Sequence, residues 1–369
     1  MKFTREQRWA LAAALYPSVV GIALYVIFAT NPPKQIEIII PLDQPRVEHQ
    51  GWVEPPPTLK AWAATQPQFQ ITGANGVAVN QDNEKLNVRL WLLVDLANGG
   101  RLPQIPQETG DCTSFGLSGA LHATQGGQIA AGSNYEFKRI FPPFTYGAGR
   151  QWVWKKVVVG RLPNEGCSGA AVAQAAKEYG VLTWADAEAA GYKYSGKLAD
   201  EWGRTGPPEK LKALAAKHRV KTVANVTTVD QVRDAICNGY GVTEASRWGN
   251  PGNKWVTQDG RIVGKRTGEW GHQMCIDGYD GSSPSGRKYF HIQNSWFPDS
   301  HPAPIDDSPV CGFWVEEADI EFMLAPGDCW AFSDFEGFPA RLPELFPQTV
   351  NARPGAKEAQ QRAKTVLAP

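Results

Sequence analysis

The apolar positions change character along the chain. From Trp9 to Thr30, 22 residues pass without a charge, and about 20 apolar residues span a bilayer as a helix. The pattern predicts an uncleaved transmembrane anchor, in which Pro17 is tolerated as in other membrane helices. Lys2, Arg5 and Arg8 precede it, so the positive-inside tendency keeps the N-terminus in the cytoplasm and sends the body across, to the periplasm or the exterior. That makes a single-pass membrane protein which touches the lipid bilayer through residues 9–30. A cleaved secretory signal is the rival, but its apolar core usually has about 7 to 15 residues, and Phe28-Ala29-Thr30-Asn31-Pro32 is a poor cleavage site.

After residues 1–30, the segment 31–100 is rich in Pro and Gln and reads as a stalk or small β module, with Pro55-Pro56-Pro57 as a stiff stretch. Ile36 to Ile40 and Val88 to Leu96 have strand character, the second bounded by Asn98-Gly99-Gly100. Residues 101–333 form the dense domain. Leu117, Ala120 and Leu121 follow helical spacing after Cys112, and Gly126-Gly127 closes that run. Further helices are expected over Ala170 to Tyr179, ended by Gly180, over Pro208 to His218, and from Thr228, where Gln231 completes a capping box. Strands follow at Gln273 to Ile276, Tyr289 to Gln293 and Gly312 to Val315. Helices first and strands later is the order of an α+β chain. Residues 334–369 lack an apolar period and read as a loose tail.

Composition narrows the function. Lys+Arg 37 balances Asp+Glu 37, so no overall positive field collects nucleic acid, and a nucleic-acid partner is excluded. Six cysteines are too few for a disulfide scaffold and lack the C-x-x-C spacing of a structural zinc site. His272 and Cys275, three apart on a strand, point to opposite faces, which argues against a shared metal. No cofactor is implied.

Cys112 opens a helix, where the partial positive charge and free N–H groups favour a thiolate, and Gly110-Asp111 before it suggests an exposed position; a buried, space-filling cysteine is the bland alternative. His272 heads one strand and Asn294 ends the next, so an antiparallel pair brings them together. An imidazole sharing the thiol proton, with a polar group fixing its tautomer, is the Cys-His-Asn form of a catalytic triad. His122 reads as packed or at the surface, His291 as structural, and Asp277 and Asp280 as turn residues.

Three islands in this order, Gln107 to Phe115, Gly271 to Tyr279 and Asn294-Ser295-Trp296, together with Glu165-Gly166-Cys167-Ser168-Gly169, resemble the papain-like cysteine peptidases. The resemblance covers about Pro103 to Leu324, with Asn-Ser-Trp its most specific part. It implies a two-lobed α+β fold, helices on one side and an antiparallel sheet or barrel on the other. It also implies a protein or peptide substrate cleaved through a thioester acyl-enzyme. Carried over, Cys112 is the nucleophile, His272 the base and acid, Asn294 its orienter and Trp296 a lid over their hydrogen bond. Gly166, Cys167, Ser168, Gly169 and Gly271 line the substrate cleft. The family's oxyanion glutamine lies six residues before the nucleophile; here Pro106 holds that position, so Gln107 takes the role one residue late. Thr109 stands where many members have the cysteine that pairs with the G-C-x-G-G turn, leaving Cys167 free or paired with one of Cys237, Cys275, Cys311 and Cys329. The N-terminal part is too short, and lacks the charged helical pattern, to be the family's long inhibitory propeptide. Two other readings remain: a catalytically silent binding or scaffold protein of an envelope or virion, and a cell-wall amidase of the Asp-Cys-Ser-Gly type, for which Asp111-Cys112-Thr113-Ser114 is a weak match.

Overall fold

A computed structural model describes residues 36–39, 50–70, 85–130, 132–133, 135–155 and 164–332. The anchor expected at 9–30 and the tail at 334–369 lie outside the described residues. Among the described residues no helix is long and apolar enough to cross a membrane.

Helix and sheet are both present, and their order follows the pattern of the chain. Helices α1 (Pro57–Thr65), α2 (Leu90–Asn98), α3 (Cys112–Ala130), α4 (Pro142–Ala148), α5 (Gly169–Glu178), α6 (Trp184–Ala189), α7 (Gly196–Thr205) and α8 (Lys212–Ala215) precede most of the strands. Helix α9 (Val229–Cys237) also comes before most of them, and α10 (Glu317–Leu324) stands near the end of the described chain. Among the described residues ten strands share one sheet: β1 (Ile36–Ile39), β2 (Asn87–Arg89), β3 (Val223–Asn225), β4 (Val242–Gly249), β5 (Lys254–Gln258), β6 (Arg261–Gly264), β7 (Gly268–Asp280), β8 (Tyr289–Gln293), β9 (Gly312–Glu316) and β10 (Trp330–Phe332). Their order is β1-β5-β6-β9-β8-β7-β4-β10-β3, with β2 on β7. All pairings are antiparallel except β6 with β9.

Several expectations change in the structure. Helix α3 does not stop at Gly126-Gly127 but runs through both to Ala130. A Cβ on Gly126 would lie 2.8 Å from the Val94 nitrogen, and one on Gly127 2.4 Å from the Gly239 carbonyl oxygen. These glycines permit close approach of backbones; they do not end the helix. The expected strand over Val88 to Leu96 is β2 followed at once by α2, which buries Leu90, Trp91, Val94 and Asp95 at helical spacing. Gly99, left-handed at φ 76°, caps that helix. Pro55-Pro56-Pro57 leads directly into α1, with Pro57 at a helix start, where its missing N–H costs nothing. The helix expected over Pro208 to His218 is broken into a 3-10 turn, α8 and a second 3-10 turn. Asp277 is a strand residue of β7 that bonds His291, whereas Asp280, the last residue of that strand, bonds Arg261 and also serves the turn after it by accepting the Ser282 N–H at 2.8 Å. The capping box at Thr228 forms as expected.

Two buried clusters meet along α3. One is built mainly from helices and includes Leu117, Leu121, Phe144, Val172 and Trp202. The other lies on the sheet and includes Trp248, Ile276, Phe290, Phe313 and Ile320. Leu117, Ala120 and Leu121 of α3 belong to the first and Ala123 to the second. Helix α3 sits flat on β7 because Gly116 and Gly119 face Gln273 and Cys275 there.

Candidate active site

Cys112 is the first residue of α3. The preceding turn is tied by Ser114, whose Oγ donates to the Asp111 carbonyl at 2.8 Å. The sulfur packs against Trp52 and Ala245. Ala245 is the β4 partner of Gln273, and Ser246 is the partner of His272, so the thiol lies against the ladder one residue from the histidine. Backbone N–H groups of Gln273 and Gly51 face the sulfur.

The position is not exposed as expected: Cys112 has no solvent-accessible surface. The cover is a strap, residues 50–54, that crosses the groove. Burial pushes the Cys112 thiol well up, and the Asp111 carboxyl beside it adds to this, against smaller opposing effects of the two N–H groups. Desolvation therefore outweighs the helix terminus while the strap is in place.

His272 and Asn294 come together as expected, through the antiparallel pairing of β7 with β8. His272 Nε2 is 2.8 Å from Asn294 Oδ1, and the same oxygen accepts the Ser295 backbone N–H at 2.7 Å. Since Oδ1 accepts, His272 Nε2 is the donor, and Nδ1 holds the lone pair of the neutral ring. Burial lowers His272 to about 4, with the Asn294 hydrogen bond opposing. Nδ1 is buried without a hydrogen-bond partner. No hydrogen bond joins it to Cys112 among the described residues. The Trp296 ring lies over His272 at 4.5 Å between centroids, tilted by 33°, and Trp270 packs on Trp296 at 4.7 Å.

Gln107 is fully buried, and both ends of its amide are engaged. Nε2 donates to the Thr109 carbonyl at 2.9 Å, and Oε1 accepts from Ser295 Oγ at 2.6 Å. The Gln107 backbone N–H also donates to the Ser295 carbonyl at 2.7 Å. In this state the residue ties the Cys112 loop to the Asn294 segment. His122, on the far side of α3, accepts the Ile140 N–H at 2.9 Å, and His291 is held by Asp277 at 2.6 Å under the Trp91 ring. Both are structural. None of the six cysteines, all buried, is in a disulfide, and burial takes Cys167 up to about 12.

The strap shows what the groove accepts. Gly51 and Trp52 N–H groups both donate to the Gly271 carbonyl, at 3.0 and 2.9 Å. On the opposite bank Cys167 N–H donates to the Gly51 carbonyl at 2.8 Å, and Val53 N–H to the Cys167 carbonyl at 2.9 Å. The strap and the Cys167 bank run parallel. A Cβ on Gly51 would lie 2.1 Å from the Gly110 carbonyl oxygen, and one on Gly166 2.5 Å from the Gly51 carbonyl oxygen. Only bare backbone fits at these crossings. Trp52 fills a side pocket and its Nε1 donates to Asp328 Oδ2 at 2.8 Å. Asp328 also takes Trp330 Nε1 and the Gly169 N–H, each at 2.8 Å. Gly166, Cys167 and Gly271 thus line the groove, whereas Ser168 caps α5 by accepting the Ala171 N–H and Gly169 meets Asp328.

Sequence reasoning missed the strap, Asp328 and His301, whose Nε2 is 3.1 Å from Asn294 Nδ2. None stands in a periodic or motif context that marks it.

No family model matches the chain, and no curated protein matches it. Solved structures similar to it include cysteine proteases. Xylellain, a cysteine protease from Xylella fastidiosa, is 14% identical, with 80% of this chain and 99% of that one covered at a TM-score of 0.47. Digestive procathepsin L2 from the larval midgut of Tenebrio molitor is 11% identical over 90% of this chain and 95% of that one, TM-score 0.49. The ragweed pollen allergen Amb a 11, a cysteine protease in its proform, is 15% identical over 74% and 72%, TM-score 0.46. These are distant likenesses.

Proposed function

We propose that the chain is a divergent papain-like cysteine peptidase, with the two-lobed fold of that family, that hydrolyses peptide bonds through Cys112, His272 and Asn294. The observation that carries this reading is the strap: an extended backbone lies between two hydrogen-bonding banks and passes directly over the thiol. Backbone-to-backbone bonding on both sides is how a groove recognises extended peptide.

In the reaction, the strap leaves and a substrate segment takes its place. With water admitted, the helix terminus and the Gln273 N–H favour the thiolate. His272 Nδ1 receives the thiol proton, and the sulfur attacks the scissile carbonyl carbon. The tetrahedral oxyanion is stabilised by N–H groups at the α3 terminus. The imidazolium then protonates the leaving amine as the C–N bond breaks, which leaves a thioester. Water, deprotonated by His272, hydrolyses it and frees the sulfur. Asn294 keeps His272 Nε2–H in place throughout, and Trp296 keeps water off that bond. Gln107 joins the oxyanion donors once the groove is filled by substrate.

The body works outside the cytoplasm, anchored through residues 9–30. The uncharged 22-residue run behind three basic residues supports this.

In a peptide-library digest, and in labelling with an epoxide that alkylates active thiols, the full chain is expected to cleave and label, and Cys112→Ala to do neither. Label retained on another cysteine in Cys112→Ala would remove Cys112 from its role. A wild-type thiol that stays inert below pH 8 even after strap removal would favour a silent binding protein instead.

A further inference from the structure

His301 has no part in the chemistry above. Its ring is buried among Trp255, Trp296 and Phe313, with centroids 5.1, 5.9 and 5.4 Å away. Its Nε2 is 3.1 Å from Asn294 Nδ2. The direction of this hydrogen bond is set from outside the pair. Asn294 Oδ1 takes the Ser295 backbone N–H, which is only ever a donor, so this atom of the amide is its oxygen. Nδ2 therefore donates, and His301 Nε2 must offer a lone pair. That requires a neutral ring with its proton on Nδ1. Burial, helped by the nearby His272, lowers His301 to about 3, which keeps it neutral.

We propose that His301 is a positioning residue of this site: by accepting from Asn294 Nδ2 it works with the Ser295 N–H on Oδ1 to hold the amide with Oδ1 on His272 Nε2, and so holds His272 in the tautomer that leaves Nδ1 free for Cys112. The arrangement is a relay of fixed direction. When His272 becomes an imidazolium, its Nε2–H draws harder on Oδ1, and the polarised amide donates more strongly to the acceptor behind it. Without that acceptor, Nδ2–H would face rings alone, a costly position for a buried donor. The kinetic part of this inference rests on the peptidase reading; the tautomer part does not.

In the full chain, His301→Phe keeps an aromatic ring between Trp255 and Phe313 but removes the acceptor. His301→Gln restores an acceptor oxygen. For His301→Phe we expect kcat on a peptide substrate to fall roughly 3- to 10-fold with KM unchanged, the scale of one net hydrogen bond. His301→Gln should return to within about twofold of wild type on the same scale. In ¹⁵N NMR of histidine-labelled protein, His272 should be a single Nε2–H tautomer in wild type and in His301→Gln, and a mixture in His301→Phe. A His301→Phe chain with wild-type kcat and an unmixed His272 tautomer overturns the proposal. Should that variant fail to fold by circular dichroism, His301→Gln decides alone, since a mixed tautomer there overturns it. A wild-type chain that cleaves nothing sinks the peptidase reading, while the tautomer measurement still judges His301.

Discussion

Cys112 and His272 illustrate how one residue's chemistry depends on what covers it. The helix terminus is legible in the sequence and favours a thiolate, yet the strap removes water and reverses the outcome. Glu244 is a simpler case. It is fully buried beside Ser246 on the His272 face of β4. Burial pushes it well above the ordinary carboxylate range, with a hydrogen bond from Ser246 opposing. A group raised in the folded state supports stability below its unfolded value, near 4.3, and that support is lost as pH climbs toward the folded value. Glu244→Gln should therefore stabilise the protein by about 1–3 kcal/mol at pH 8 and by clearly less at pH 5. Urea unfolding at the two pH values checks this; equal gains at both would show that Glu244 is ionised in the folded protein.

At the scale of elements, the strap connects a short segment to the whole site. Its hold combines four backbone hydrogen bonds with the buried Trp52 indole on Asp328. Removing a buried indole costs about 3–5 kcal/mol, so Trp52→Ala should open the groove and speed alkylation of Cys112 by tenfold or more, as about 1.4 kcal/mol corresponds to tenfold. Asp328→Asn should act in the same direction and less strongly, because the amide still accepts one bond. The check is the rate of iodoacetamide labelling at Cys112; rates unchanged in Trp52→Ala would mean that the strap does not limit access. Periodicity reads elements well where one face is buried and fails where glycines have two uses. Gly126-Gly127 and Asn98-Gly99-Gly100 look alike in sequence, yet the first pair lies inside α3 at a close approach, and Gly99 ends α2 in a left-handed turn.

For the molecule as a whole, α3 belongs to both buried clusters, which couples the helical side to the sheet. Leu117 is fully buried in the first cluster. Leu117→Ala should cost about 2–5 kcal/mol and lower Tm by roughly 4–20 °C, at about 2–4 °C per kcal/mol for a body of this size. One calorimetric transition should shift as a unit. Two separate transitions would show that the sides unfold independently and that α3 does not couple them.

What the sequence determined by itself is local or ordered along the chain: a helix opening on Cys112, strands carrying His272 and Asn294, a capping box, and Asn-Ser-Trp placing Trp296 two residues beyond Asn294. These follow from spacing and from side chains acting on their own backbone. What the tertiary structure decided is everything set by contacts across hundreds of residues. Trp52 reaches Asp328 over a separation of 276, Gln107 reaches Ser295 over 188, and the strap buries a thiol that its neighbours in sequence would leave open. Such contacts depend on which backbones can pass within a hydrogen bond of one another, and no periodicity along the chain encodes that.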